Sequence, residues 1–168
     1  MTFHILGATL YALIGAFQFS PTPQGRWHRI AGRIALPMGL IAALGGVWMT
    51  LTYPWANADG EAVYAARLIF GTGMALSLIL GVTAAVKRNN PAHKAWMLRA
   101  YAIGMGAGTQ VVTHLPWFLL VGQPTETPRA VMMIGGWVLN LTVAELLIRK
   151  QNGAPNPRPT RRPPLNVF

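Results

Sequence analysis

The chain has 168 residues, 52% of them hydrophobic and only 11% charged, with a formal net charge of +10. Soluble domains carry roughly 25% charged residues, so this composition excludes a water-soluble globule and points to a compact membrane bundle without a separate soluble domain. There is no cysteine, which excludes disulfides, thiolate metal sites and cysteine nucleophiles.

The positive charge suggests nucleic acid until it is placed along the chain. Arg26, Arg29 and Arg33 lie between the first two apolar runs. Lys87, Arg88, Lys94 and Arg99 lie between or just inside the third and fourth, and Arg149, Lys150, Arg158, Arg161 and Arg162 follow the fifth. The two other basic residues, Arg67 and Arg129, fall near the alternate connections with Asp59, Glu61 and Glu126. Basic residues on alternate connections are the positive-inside signature of a polytopic membrane protein. Nucleic acid is therefore rejected as a partner. The prediction is an all-α polytopic membrane helix bundle of five transmembrane helices, N-terminus outside and C-terminus inside, in an inner (cytoplasmic) membrane.

The first span is expected over 3–19, at the short end for a crossing. It lacks the basic flank and cleavage site of a signal peptide. Ala8, Ala12 and Ala16 recur every fourth residue as a small packing face, and Gln18 sits at the inner end. The second span, 29–52, contains Pro37, which deprives the Arg33 carbonyl of its helical donor and predicts a kink or a frayed first turn. Trp48, Tyr53 and Trp55 then read as an interfacial aromatic belt before the acidic outer loop NADGE. In the third span, 62–86, Arg67 lies about one turn inside and is expected to snorkel to the outer interface. Gly71, Gly73 and Gly81 thin that helix for close packing.

The organising stretch is HKAWMLRAYAIGMGAGTQVVTHLPWFLL, which contains the fourth span, 95–121. A helix of that length covers roughly 40 Å and crosses a hydrocarbon core of about 30 Å with room for tilt. Its polar groups are costly in lipid, so it is expected to face the bundle interior. The fifth span, 130–148, carries Asn140 and Glu145. Glu145 can pair with Arg149 one turn on, but it is also the only inner-half acid and so the expected partner of Arg99. The tail 151–168, rich in proline and arginine, is expected to be disordered and to lie along anionic headgroups.

Two sets of residues could carry chemistry. His4 and His114 fall toward the outer face, His28 and His93 toward the inner one, as in di-haem b-type cytochromes with axial imidazoles. Gly104, Gly106 and Gly108 would let a flat macrocycle approach the backbone. His93 and His114, however, are 21 residues apart, about 31 Å along a helix, and His4 is shallow, so one haem b or none fits better than two. The glycine run lies inside an apolar helix with no preceding strand and is not a dinucleotide motif. The second set is basic: Arg26, His28, Arg29, Arg33, His93, Lys94 and Arg99, near Gln18, Asn140 and Glu145. Such a cluster binds lipid phosphates, or forms a site for an anionic headgroup, quinone or other small ligand built on Arg29, Arg33, Arg99, Glu145 and Gln18. Toward the outer face, Thr109, Gln110, Thr113 and His114 form a polar patch near Pro116. No serine–histidine–acid set or paired carboxylates occur, which argues against hydrolysis and leaves open whether the chain is an enzyme.

The segments HILGATLYALIGAFQF, RWHRIAGR and HKAWMLRAYAIGMGAGTQ, with GWVLNLTVAE further on, resemble a bacterial family of predicted membrane proteins catalogued as domain of unknown function 2306. The resemblance covers all but the proline-rich tail. It implies that His4, Gln18, His28, Arg29, Gly32, Arg33, His93, Trp96, Met97 and Arg99 occupy the family's motif positions, and that relatives often carry a further N-terminal helix. It implies no activity. Two functions stand at this point: a small b-type haem-binding redox protein or redox-partner subunit, and a non-enzymatic lipid- or small-ligand-binding membrane protein or accessory subunit. The expected partners are membrane lipids, anionic headgroups at the cytoplasmic face, and a membrane-protein partner or second copy of the chain. A transporter ranks lower, because matching broken helices are not evident.

Overall fold

A computed structural model describes residues 1–19, 25–55 and 58–153. All regular structure among them is helical: α1 (Thr2–Gln18), α2 (Arg26–Thr52), α3 (Glu61–Val86), α4 (Asn90–Leu120) and α5 (Glu126–Gly153). The expected disorder of the tail falls mostly outside the described residues.

Local chemistry sets the ends. The Asn89 side chain caps α4 by accepting from the Ala92 amide at 3.2 Å, and Pro91 occupies the first turn, where its missing N–H costs nothing. That start lies upstream of the apolar segment because a capped helix need not end at the membrane boundary. Pro37 sits inside an unbroken α2, so the helix tolerates the lost bond without ending. Hydroxyls in the helices bond their own backbone: Thr50 to Gly46 O, Thr72 to Leu68 O, Thr83 to Ile79 O and Thr142 to Val138 O. Where there is no water, this local bond is the cheapest way to satisfy a hydroxyl.

Successive helices run antiparallel. α1 to α4 surround a core of Tyr11, Ala35, Ala43, Met74, Ala75, Leu78, Ala100 and Ile103, and α5 lies against α4 and α3 through Val63, Ala130, Met133 and Trp137. Ten of the seventeen buried apolar residues are alanine, whereas Phe3, Leu13, Phe17, Trp48, Leu119, Leu120 and Leu146 face outward. Large apolar side chains outside and small ones inside would be unstable in water, but they suit helices that pack closely within lipid. α2, α3 and α5 are long and apolar enough to cross a membrane, with mean hydropathies of 1.8, 2.0 and 1.8. α1 is apolar but has only 17 residues. α4 is the longest helix at 31 residues, its apolar character diluted by the polar groups it carries.

Candidate functional site

The bundle has a basic end, with Arg26, Arg29, Lys87, Arg88 and Lys94, and an acidic-loop end, with Asp59, Glu61 and Glu126. The residues singled out from sequence divide between them.

At the basic end the HKAWMLR segment is absorbed by helix packing. His93 Nδ1 lies 2.9 Å from the Gly81 carbonyl on α3, and a carbonyl can only accept, so Nδ1 donates. The Met97 thioether fills the space beside Gly81, where an added Cβ would lie 2.7 Å from its methyl. Arg99 makes a bidentate pair with Glu145 on α5, at 2.5 Å and 3.0 Å, with Trp96 4.8 Å from its guanidinium. This is the partner expected for Arg99. A planar fork held by two bonds and an aromatic face joins α4 to α5 with the charge matched. The rest of the basic set is not gathered around it. Arg29 and Arg33 are exposed on α2, the Gln18 side chain lies beside Gly32, and His28 lies within electrostatic reach of His93 and Lys94. These groups form a charged rim at this end of the bundle.

Along the glycine run of α4, Gly104 faces the Tyr11 ring, Gly106 faces the Trp137 indole, and Gly108 has Met105 nearest. Gly104 also lines the cavity described below. His114 Nδ1 donates to the Gln110 carbonyl of its own helix at 2.7 Å. Thr113 bonds Gln110 O at 3.0 Å and Met132 O at 3.3 Å. Asn140 donates to Thr109 Oγ1 and to Gly136 O, both at 2.7 Å. The outer polar patch thus becomes an α4–α5 seam.

The acidic-loop end is built differently from the expectation for Arg67. Its guanidinium does not snorkel alone. It grips Asp59, with Nη1 2.6 Å from Oδ2 and Nη2 3.3 Å from Oδ1, and Arg129 Nε donates to the same carboxylate at 2.7 Å. The Asp59 side chain is only 3% exposed, against 31% for that of Arg67 and 24% for that of Arg129. One carboxylate in the α2–α3 loop therefore ties α3 to α5. Burial alone would push the Asp59 carboxyl up. The hydrogen bonds from Arg129 and Arg67, with the attraction of both charges, outweigh that and hold it below the usual carboxylate range.

Beneath this clamp lies a cavity of about 560 Å³ between α1, α2, α3, α4 and α5. Its mouth carries Asp59, Arg67, Tyr53 and the stacked pair Trp55 and Tyr64, whose ring centroids are 5.4 Å apart. Its walls are mostly apolar, including Ala43, Gly71, Met74, Ile103, Ala107 and Trp137, with His4, Tyr11, Thr50 and Gln110 as the polar exceptions. The size falls in the range of small-molecule sites, about 300–1,000 Å³. His4 lines this cavity and His114 does not, so the outer histidines are not brought together there.

The model of the family described as predicted membrane protein, domain of unknown function 2306, matches residues 1–148. The chain belongs to that family. No curated protein and no solved structure matches it. The membrane character of this family member agrees with the outward-facing apolar side chains. Sequence reasoning missed the cavity and the clamp. The signal for the clamp was a loop acid, Asp59, on the same side as Arg67 and Arg129. The cavity had no local signal, because five helices contribute to it.

Proposed function

We propose that this membrane protein is a non-enzymatic binder of a small, uncharged amphipathic molecule, taken up in the cavity at the acidic-loop end. In this reading all five helices cross a bacterial inner membrane, with the acidic loops outside and the basic end and C-terminus inside. α4 at 31 residues reaches roughly 45 Å, and the charge distribution follows the positive-inside rule. The absence of native cysteine permits a direct test of orientation. A membrane-impermeant maleimide should label Thr125→Cys from the outside of intact cells and Asn152→Cys only after lysis, and the opposite pattern would refute it.

The observation that carries the binding reading is Tyr11. Its side chain lines the cavity, the residue is 6% exposed, and its hydroxyl has no partner among the described residues. Among the described residues the fully buried side-chain polar atom without a partner is Trp117 Nε1, so the unpaired Tyr11 hydroxyl is still reachable from open space, and a bound polar headgroup would accept from it. Among the side chains lining the mouth, the charges of Asp59 and Arg67 offset each other. Native mass spectrometry of the protein in nanodiscs should find a lipid-phase molecule that Ala107→Phe, which fills the cavity, displaces. Retention of the same molecule by a folded Ala107→Phe protein would overturn the proposal.

A b-type haem is the second reading, carried by one observation. His4, His93 and His114 each donate Nδ1–H to a backbone carbonyl, the arrangement that presents Nε2 to a metal. The Tyr11 and Trp137 rings against Gly104 and Gly106 leave less room for a macrocycle there. A dithionite-reduced minus oxidised spectrum with a stoichiometric b-type α-band would put haem first, and a featureless spectrum after growth with ample haem would dismiss it. Arg26, Arg29 and Arg33, exposed at the basic end, supply contacts for anionic headgroups in either case.

A further inference from the structure

We infer that the ligand of this cavity is a hydroquinone: an aromatic ring bearing two hydroxyl groups on an apolar tail. This rests on the reading that the cavity holds an uncharged amphiphile, and it deepens that reading by naming the headgroup.

The inference comes from the free donors and acceptors. Tyr11 lies in a slot between two helices, where a Cβ on Gly39 would fall 2.8 Å from its ring and one on Gly104 3.0 Å. The neighbouring Tyr101 gives its hydroxyl to Ala12 O at 3.1 Å, but Tyr11 has no such partner among the described residues. The ring is held in place beside the cavity it lines, and its hydroxyl is free to donate. His4 and Gln110 offer the opposite. His4 Nδ1 donates to Ala42 O at 2.7 Å, so the neutral imidazole keeps Nε2 as a bare acceptor. Gln110 Nε2 donates to Met133 O at 3.1 Å, which leaves Oε1 as a second. These acceptors sit on α1 and α4, and neither has a donor among the described residues.

A quinone has only carbonyl acceptors. It would satisfy Tyr11 and leave His4 and Gln110 unpaired. A simple alcohol has one O–H for two acceptors. A hydroquinone has two O–H groups on a rigid scaffold, and one of its oxygens can also accept from Tyr11. Its ring suits walls that include Tyr11, Trp137 and the Trp55–Tyr64 stack. An apolar cavity of about 150 Å³ already holds benzene, so 560 Å³ takes a substituted ring and the start of a tail. Tying Nδ1 and Nε2 to carbonyls also fixes both acceptors in place before binding, which lowers the ordering cost.

The test is equilibrium binding of a radiolabelled benzohydroquinone with a decyl tail, and of the matching benzoquinone, to the full chain in phosphatidylcholine nanodiscs under anaerobic, reducing or oxidising conditions. The hydroquinone should bind at least about tenfold tighter, the worth of one hydrogen bond that the quinone cannot make. Gln110→Met should reduce that preference by the share of one hydrogen bond, His4→Phe repeats the test on the other acceptor, and the double variant should abolish it. Tyr11→Phe should weaken both ligands about tenfold and leave their ratio unchanged. Circular dichroism and gel filtration establish that each variant is folded. Equal binding of the two ligands, or a preference untouched by both acceptor variants, would overturn the inference. If neither ligand binds while Ala107→Phe still displaces another amphiphile, the hydroquinone assignment falls and the cavity reading stands. If the hydroquinone binds a folded Ala107→Phe protein as well as wild type, both fall.

Discussion

Replacing Asp59 with asparagine changes one atom and removes the charge shared by Arg67 and Arg129. The three hydrogen bonds at 2.6, 2.7 and 3.3 Å would lose their charge assistance, and asparagine keeps only one acceptor oxygen. Hydrogen bonds to charged groups contribute about 1.5–3 kcal/mol each, and breaking a fully buried pair costs about 3–5 kcal/mol. The two guanidiniums are 31% and 24% exposed and keep part of their hydration, so the expected loss is about 2 kcal/mol. For a domain of this size that corresponds to a drop of about 4–8 °C in Tm, measurable by intrinsic fluorescence in detergent. The pH dependence gives the sharper test. Because the folded carboxyl titrates below its ordinary value of 3.8, its contribution is complete above that value and is lost as pH falls through the lower folded one. The gap between wild type and Asp59→Asn should therefore hold at neutral pH and close in acid below 3.8. Identical melting of the two proteins at neutral pH, or a gap that widens in acid, would refute the clamp.

Gly106→Leu should separate α4 from α5, because its Cβ would enter the Trp137 indole; a loss of about 2 kcal/mol or more is expected in thermal melts. Gly108→Ala has only the Met105 methyl within 4 Å, at 3.7 Å, and should melt like wild type. Arg99→Gln and Glu145→Gln should each destabilise, and the double variant should lose less than the sum, with a coupling of about 1 kcal/mol in a double-mutant cycle. Strict additivity would mean that the pair seen at 2.5 Å contributes nothing.

The Arg99–Glu145 pair was legible because the inner half of the chain holds a single acid, and charge matching in lipid leaves few choices. The partner of Arg67 was not legible for the same kind of reason. One turn from an interface, snorkelling and pairing predict the same location, and only the folded loop places Asp59 within reach. Gly104, Gly106 and Gly108 were read as positions where a macrocycle approaches the backbone, and side chains of this chain lie close to the first two. What approaches them could not be read, since Tyr11 and Trp137 come from α1 and α5. The histidines sorted to two ends by position alone, but which of them line a common space depends on how the helices are rotated.

Composition and charge order by themselves determined that this is a membrane helix bundle with small residues inside and a basic end, because hydrophobic burial in lipid and the cost of crossing charges act on each segment separately. The tertiary structure alone decided where the empty space lies, which residues line it, and which carboxylate holds two arginines. Those properties belong to contacts between helices that are distant in sequence, and no single helix encodes them.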